Sequence, residues 1–211
     1  MKKIIAMAVA AVLMVSAASA LDLEFGGRAI LGRNLDSGTF KENMAQAKQD
    51  KTYDFGFGIY GNFALFGGLG IQAEANYVKS SITFAKEGKE EVQYDMHTLD
   101  LSPMIWLNLD LWKFTIGLGA GPNFEIPLAS LGDIKNAKKQ DFTVGLIAGA
   151  DVKFYITDHL GIVLSGRYVT DWQKKDVPIE VNGYDSGAKY PSYEFTRKTI
   201  YGGVGLEFKL L

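Results

Sequence analysis

Eight stretches of the 211-residue chain alternate with a period of two, and the alternation sorts charge from apolar surface. They run over 23–31, 53–63, 69–77, 99–107, 114–124, 142–156, 160–168 and 200–210. In the longest, Phe142, Val144, Leu146, Ala148, Ala150, Val152 and Phe154 fall on one side, with Thr143, Gly145, Gly149, Asp151 and Lys153 on the other. Across all eight, no charge stands on the apolar side. The opposite side carries ten: Glu24, Arg28, Asp54, Glu74, Asp100, Asp151, Lys153, Arg167, Glu207 and Lys209. Successive side chains of a strand point to opposite faces, so each stretch reads as a two-faced strand. A charge facing lipid near the midplane costs about 2–4 kcal/mol, and such segregation is what a membrane-embedded sheet demands.

Connections between the stretches alternate in length. Phe66-Gly67-Gly68, Asn108-Leu109-Asp110 and Thr157-Asp158-His159 are short, whereas Asn34–Lys51, Ser80–Asp95, Glu125–Asp141 and Gln173–Glu194 are long. Short turns at one end and long loops at the other predict an all-β, eight-stranded, antiparallel up-and-down transmembrane β-barrel, with turns periplasmic and loops outside. Aromatics gather near the ends: Trp106, Trp112, Phe63, Phe66 and Phe154 toward the turns, Tyr53, Tyr77, Phe124, Phe142, Tyr168 and Trp172 toward the loops. Two interfacial girdles are the expected meaning. Alternation does not say which face is outside, since a secreted lipocalin-like barrel would put the apolar face in its interior. The Gly-, Ser-, Thr- and Asn-rich polar faces and the aromatic ends of the apolar faces favour lipid outside. Pro103 and Pro122 stand within two of the strands, and a closed barrel has no edge to hold a missing donor. Both are expected at bulges, or Pro122 at the loop end of its strand.

Before the first strand, Lys2 and Lys3 precede an apolar run from Ile4 to Val15, and small residues Ala18 and Ala20 follow. This pattern predicts a secretory signal peptide over 1–20 and a barrel domain over 21–211, and the 12-residue run is too short to span a bilayer. With Lys+Arg 22 against Asp+Glu 24, bulk electrostatics do not support nucleic-acid binding. The absence of Cys excludes disulfides, thiolate chemistry and a lipoprotein anchor.

On these residues the chain resembles the small eight-stranded outer-membrane β-barrel proteins, the broad family of the OmpX/Ail, OmpW and OmpA-barrel groups. The closing stretch Tyr201-Gly202-Gly203-Val204-Gly205-Leu206-Glu207-Phe208 resembles that family's C-terminal assembly signal, except that Lys209-Leu210-Leu211 follow the aromatic. The resemblance implies a monomer in the outer membrane of a diderm bacterium, surrounded by lipid and inserted by the assembly machinery through its last strand. It also implies either a structural or surface-interaction role, adhesion-like and carried by the loops, or a narrow channel for small or hydrophobic solutes.

Eight strands leave a lumen that side chains fill. The ten charges facing it, with Lys113 just beyond its strand, are expected to form a self-neutralising ion-pair plug, because buried charges persist when paired. Some barrels of this size are lipid-modifying or proteolytic enzymes, but no residue signature places partners around His97 or His159, and no catalytic, cofactor or metal site is expected. In the first long loop, Phe40 and Met44 stand at helical spacing. In the fourth, Val177, Ile179 and Val181 alternate before Asn182-Gly183, a hairpin signal for a β-ribbon above the membrane. Tyr184, Tyr190 and Tyr193 on that loop are the candidate surface contacts, since tyrosine brings large contact area at small entropic cost.

Overall fold

The computed structural model describes residues 22–35, 39–41, 47–66, 68–86, 92–132, 141–178 and 192–210. Eight long strands close into an antiparallel barrel: β1 (Asp22–Asn34), β3 (Ala47–Phe66), β4 (Leu69–Lys86), β5 (Val92–Leu111), β6 (Phe114–Gly132), β7 (Thr143–Tyr155), β8 (Leu160–Asp171) and β11 (Lys198–Leu210). The first and last strands complete the cylinder, with Arg28 opposite Gly205 and Phe25 opposite Phe208. Every ladder joins strands adjacent in this order, as an up-and-down barrel requires. Three short strands, β2 (Thr39–Lys41), β9 (Lys175–Pro178) and β10 (Ser192–Phe195), pair in the order β2-β10-β9 at the long-loop end.

Burial along the strands decides the face question. In β8 the pattern alternates strictly from Leu160 to Gly166, and Leu164 is 59% exposed while Val163 beside it is fully buried. Phe57, Ile59 and Ile105 are likewise exposed, at 63%, 65% and 69%. On the other face of the strands, Glu74, Asp100, Asp151 and Glu207 are buried. A belt of large apolar side chains this extensive has no place in water. The apolar side is the exterior, and lipid is the solvent that suits it. No helix among the described residues is long and apolar enough to cross a membrane; the crossing is made by strands.

Several strands run further than the alternation reaches. β3 starts at Ala47, β4 continues to Lys86, β5 begins at Val92 and β6 ends at Gly132, so much of the sequence assigned to long loops is ladder. Polar residues extend these hairpins because backbone pairing, not an apolar face, holds a strand once it leaves the bilayer. The helical spacing at Phe40 is overruled: Thr39–Lys41 is a strand, pairing with β10. In the fourth loop, Val177 lies in β9 opposite Tyr193 of β10, so two strands do stand there, whereas Ile179, Val181 and Asn182-Gly183 lie outside the described residues.

The prolines also differ from expectation. Pairing of β5 with β6 stops after Leu101↔Phe124 and resumes at Ile105↔Ala120 with the register unchanged. Pro103 and Pro122 thus face each other inside an interruption, not at a bulge, and β6 continues ten residues beyond Pro122. Each removes a donor from the same place, so the ladder loses its bonds without slipping. The bulge in this pair lies between His97 and Thr98, where Thr98 pairs with Pro127. Trp112, with φ 60, and Gly68, with φ 79, make two of the tight turns at the short-connection end. At Gly68 a Cβ would sit 2.0 Å from the Asn108 carbonyl oxygen, so only glycine fits.

Candidate functional site

The interior is the best-formed polar region of the molecule, and it is organised in three clusters. Nearest the short turns, Lys153 lies between two carboxylates, ion-paired with Glu24 and 2.8 Å from Glu207. Tyr60 Oη donates to Glu207 at 2.9 Å, Asn62 Nδ2 to Glu24 at 3.0 Å, and Tyr155 Oη lies 2.6 Å from Glu207 and 3.0 Å from Glu24. Two carboxylates share one ammonium here, and the neutral donors around them satisfy the remaining oxygens.

The middle cluster balances two cations against two anions. Arg167 spans Glu74, at 2.6 Å, and Asp151, at 2.6 Å and 3.1 Å. Arg28 pairs with the other oxygen of Glu74 and donates to Asn76 at 3.2 Å. The guanidinium of Arg167 lies over the indole of Trp106, 5.0 Å from its centroid. Trp106 is fully buried and donates from Nε1 to Asn108 at 3.0 Å. It therefore belongs to the lumen and not to the interfacial girdle expected of it. Its seat exists because β6 carries glycine beside it: a Cβ on Gly119 would come within 2.1 Å of the ring, and one on Gly117 within 2.6 Å.

Ile30, Val78, Ile147 and Val169 continue toward the loop end as an apolar layer, all nearly or fully buried. Beyond it lies the outer cluster. Arg197 forms a two-point contact with Asp100, at 2.6 Å and 3.1 Å, and also pairs with Glu125. Lys175 reaches both oxygens of Glu125, at 2.6 Å and 2.7 Å, and lies 2.9 Å from Asp171. Lys175 opens β9, and Arg197 lies between β10 and β11, so this cluster ties the three-stranded external sheet to the barrel wall.

Of the ten charges singled out in the sequence, Glu24, Lys153 and Glu207 meet in the first cluster and Arg28, Glu74, Asp151 and Arg167 in the second. Asp100 belongs to the third, and Asp54 is buried beside it, lining a small cavity with Glu125, Lys175 and Arg197. Lys209 takes the inward side at the rim and is half-buried. Lys113 is not in the lumen: it is exposed on the turn, its ammonium 5.3 Å from the Trp112 ring. Glu125, Asp171, Lys175 and Arg197 were missed because they lie past the apolar alternation. Their parity was the available signal, since Glu125 follows Asn123 inward and Arg197 precedes Thr199 and Tyr201 inward.

His97 Nδ1 contacts Tyr77 Oη at 2.5 Å on the outer wall, and His159 Nδ1 lies 3.0 Å from the Lys209 carbonyl oxygen at the turn end. Among the described residues no group of three or more His, Asp or Glu side chains could hold a metal ion. Tyr184 and Tyr190 lie outside the described residues, and Tyr193 enters β10 by backbone pairing with Val177 and Phe40.

A closed barrel with a greasy wall and a charged interior is matched by one family model. The model of the outer membrane protein beta-barrel domain covers residues 7–208. The chain belongs to that family. This outer-membrane β-barrel protein is similar in fold to OprG of Pseudomonas aeruginosa, with a TM-score of 0.76 at 12% identity over 90% of this chain and 96% of that one. Ail of Yersinia pestis gives a TM-score of 0.48 at 11% identity, over 91% and 100% of the two chains, and OmpW of E. coli gives 0.41 at 15%, over 84% and 96%. A comparison with curated proteins gives no match.

Proposed function

We propose that this outer-membrane barrel is a sealed, monomeric scaffold whose work is done at its external end, as a structural or surface-interaction protein. The observation that carries this reading is the filled lumen. Two interior cavities among the described residues have volumes of about 10 Å³ each, one lined by Arg28, Asn76, Asp100 and Arg167 and one within the outer cluster lined by Asp54, Glu125 and Arg197. A space of about 10–15 Å³ holds one water, not a hydrated solute. Charged side chains held by two or three partners in each cluster make an ion-pair plug that resists displacement. The leader is removed after Ala20, and the stretch Tyr201–Phe208 of β11 is the segment the assembly machinery reads.

Conductance in planar bilayers tests the seal. Wild-type protein is expected to show no stepwise current, and reproducible channels at low voltage would replace the scaffold by a narrow conduit for small solutes. Attachment tests the external role. Deleting residues 179–190, which carry Tyr184 and Tyr190, is expected to leave heat-modifiable gel mobility intact while reducing attachment to host or partner surfaces. Undiminished attachment would remove the surface-interaction reading.

A further inference from the structure

The outer wall carries a polar group where a greasy surface is expected. On β4 and β5, outward-facing Tyr77, Lys79 and Ser81 lie beside outward-facing His97 and Asp95, with Lys79 paired to His97 and Ser81 to Asp95 in register. Lys79 Nζ is 2.7 Å from Asp95, Ser81 Oγ donates to Asp95 at 2.7 Å, and Tyr77 Oη meets His97 Nδ1 at 2.5 Å. Below them the wall is apolar again: the Phe57 and Tyr77 rings pack at 5.2 Å, and Phe57 and Ile59 are exposed.

Their height identifies what they meet. Lys79 lies ten residues along β4 from its turn end at Leu69. At about 3.3 Å per residue and a strand tilt of about 40°, it stands roughly 25 Å above the turn, the height of the apolar band of such barrels. The group therefore sits where headgroups of the outer leaflet begin. Beneath it the wall is hollowed into an open trough of about 710 Å³ that starts on β4 and β5 at Ala75 and Leu101 and runs across β3 and β1 to β11 and β8, where Leu160, Leu206 and Phe208 line it. Gly27, Gly61, Ala73 and Ala75 form its floor, with Ile59 and Leu101 at the upper rim. From Lys79 down to Ala73 is six residues, about 15 Å along the membrane normal, or half of a hydrocarbon core about 30 Å thick.

We propose that this face of β4 and β5 binds one phosphorylated lipid of the outer leaflet, its phosphate on Lys79 and His97 and an acyl chain in the trough beneath. The donors suit a phosphate. Lys79 has three N–H donors, and Asp95 takes one of them. Tyr77 Oη engages His97 Nδ1, and in the tautomer where Tyr77 donates, the ring proton is on Nε2 and is the one offered to a phosphate. Asp95 holds Lys79 in place and balances its charge, and the pair is half-buried on the outer wall. A soluble phosphate would use the polar group alone; the trough adds a requirement for a chain, and that makes the ligand a lipid.

Native mass spectrometry of the full-length mature barrel measures the retained lipid, with bis-phosphorylated lipid A and its dephosphorylated form as probes. The phosphorylated probe is expected to be retained preferentially, and Lys79→Gln with His97→Gln to reduce its retention about tenfold, the scale of losing charge-assisted hydrogen bonds. Asp95→Asn, which frees Lys79, is expected to raise retention. Ala75→Trp, which fills the trough without touching the polar group, is expected to lower it, and heat-modifiable mobility checks that each variant folds. Equal retention of the two probes, or unchanged retention in the Lys79/His97 double variant, would overturn the headgroup site; unchanged retention in Ala75→Trp would overturn the chain-binding trough.

Discussion

Pro103 of β5 faces Pro122 of β6 across the one interval where these strands lose their pairing, and Ser102 beside it donates a 2.7 Å hydrogen bond to Asn123. Both polar side chains are fully buried in the lumen. The side chains thus join the strands at the place where the prolines prevent the backbone from doing so.

Ser102→Ala removes that tie and leaves the Asn123 oxygen buried without it, so it is expected to cost about 1–3 kcal/mol. Urea titration of the barrel in lipid vesicles measures the loss. An unchanged midpoint would mean that the interruption needs no side-chain bridge.

Depth sets the cost of a charge on the outer wall. Leu164, near the middle of β8 and 59% exposed, faces lipid close to the midplane, and Leu164→Arg is expected to destabilise by about 2–4 kcal/mol. Leu146 faces the same way but lies three residues from the outer end of β7, so Leu146→Arg is expected to cost less, toward about 1 kcal/mol. Equal penalties in the same titration would misplace the barrel in the bilayer.

Lys153 is the cation shared by Glu24 and Glu207. Lys153→Met strands two buried carboxylates against each other, and breaking a buried pair in this way is expected to cost about 3–5 kcal/mol. Adding Glu24→Gln and Glu207→Gln removes the stranded charges and is expected to restore most of that loss. If the triple variant is no more stable than Lys153→Met, packing of the lysine stem, not charge, holds the cluster.

Gly119→Ala pushes a methyl group into the Trp106 ring. The indole has to leave its place under Arg167, and overpacking of this kind is expected to cost about 1–3 kcal/mol. Tryptophan emission in a background with Trp112→Phe and Trp172→Phe reads the move directly. An unshifted spectrum would show that the wall, not the ring, gives way.

Period-two alternation is a local property of strand geometry, and it was legible in the sequence at Leu23–Leu31 as plainly as at Ile200–Leu210. The sorting of charge along it marked the inward residues of every barrel strand, and the contrast of short and long connections marked the up-and-down order. Where alternation ended, the reading ended too, because above the bilayer a strand such as β3 is held by its ladder and no longer needs an apolar face. The outer cluster was lost with it: Glu125, Lys175 and Arg197 lie outside the stretches over which the alternation runs. What only tertiary structure decided is who meets whom. Arg167 finds Glu74 at a separation of 93 residues, and Arg197 finds Asp100 at 97, because closure and register bring distant strands to one level of a narrow lumen. Trp106 turned inward for the same reason: its position in the chain suited a girdle, but parity aimed it at the lumen, and glycines two strand positions apart on the neighbouring β6 left it room.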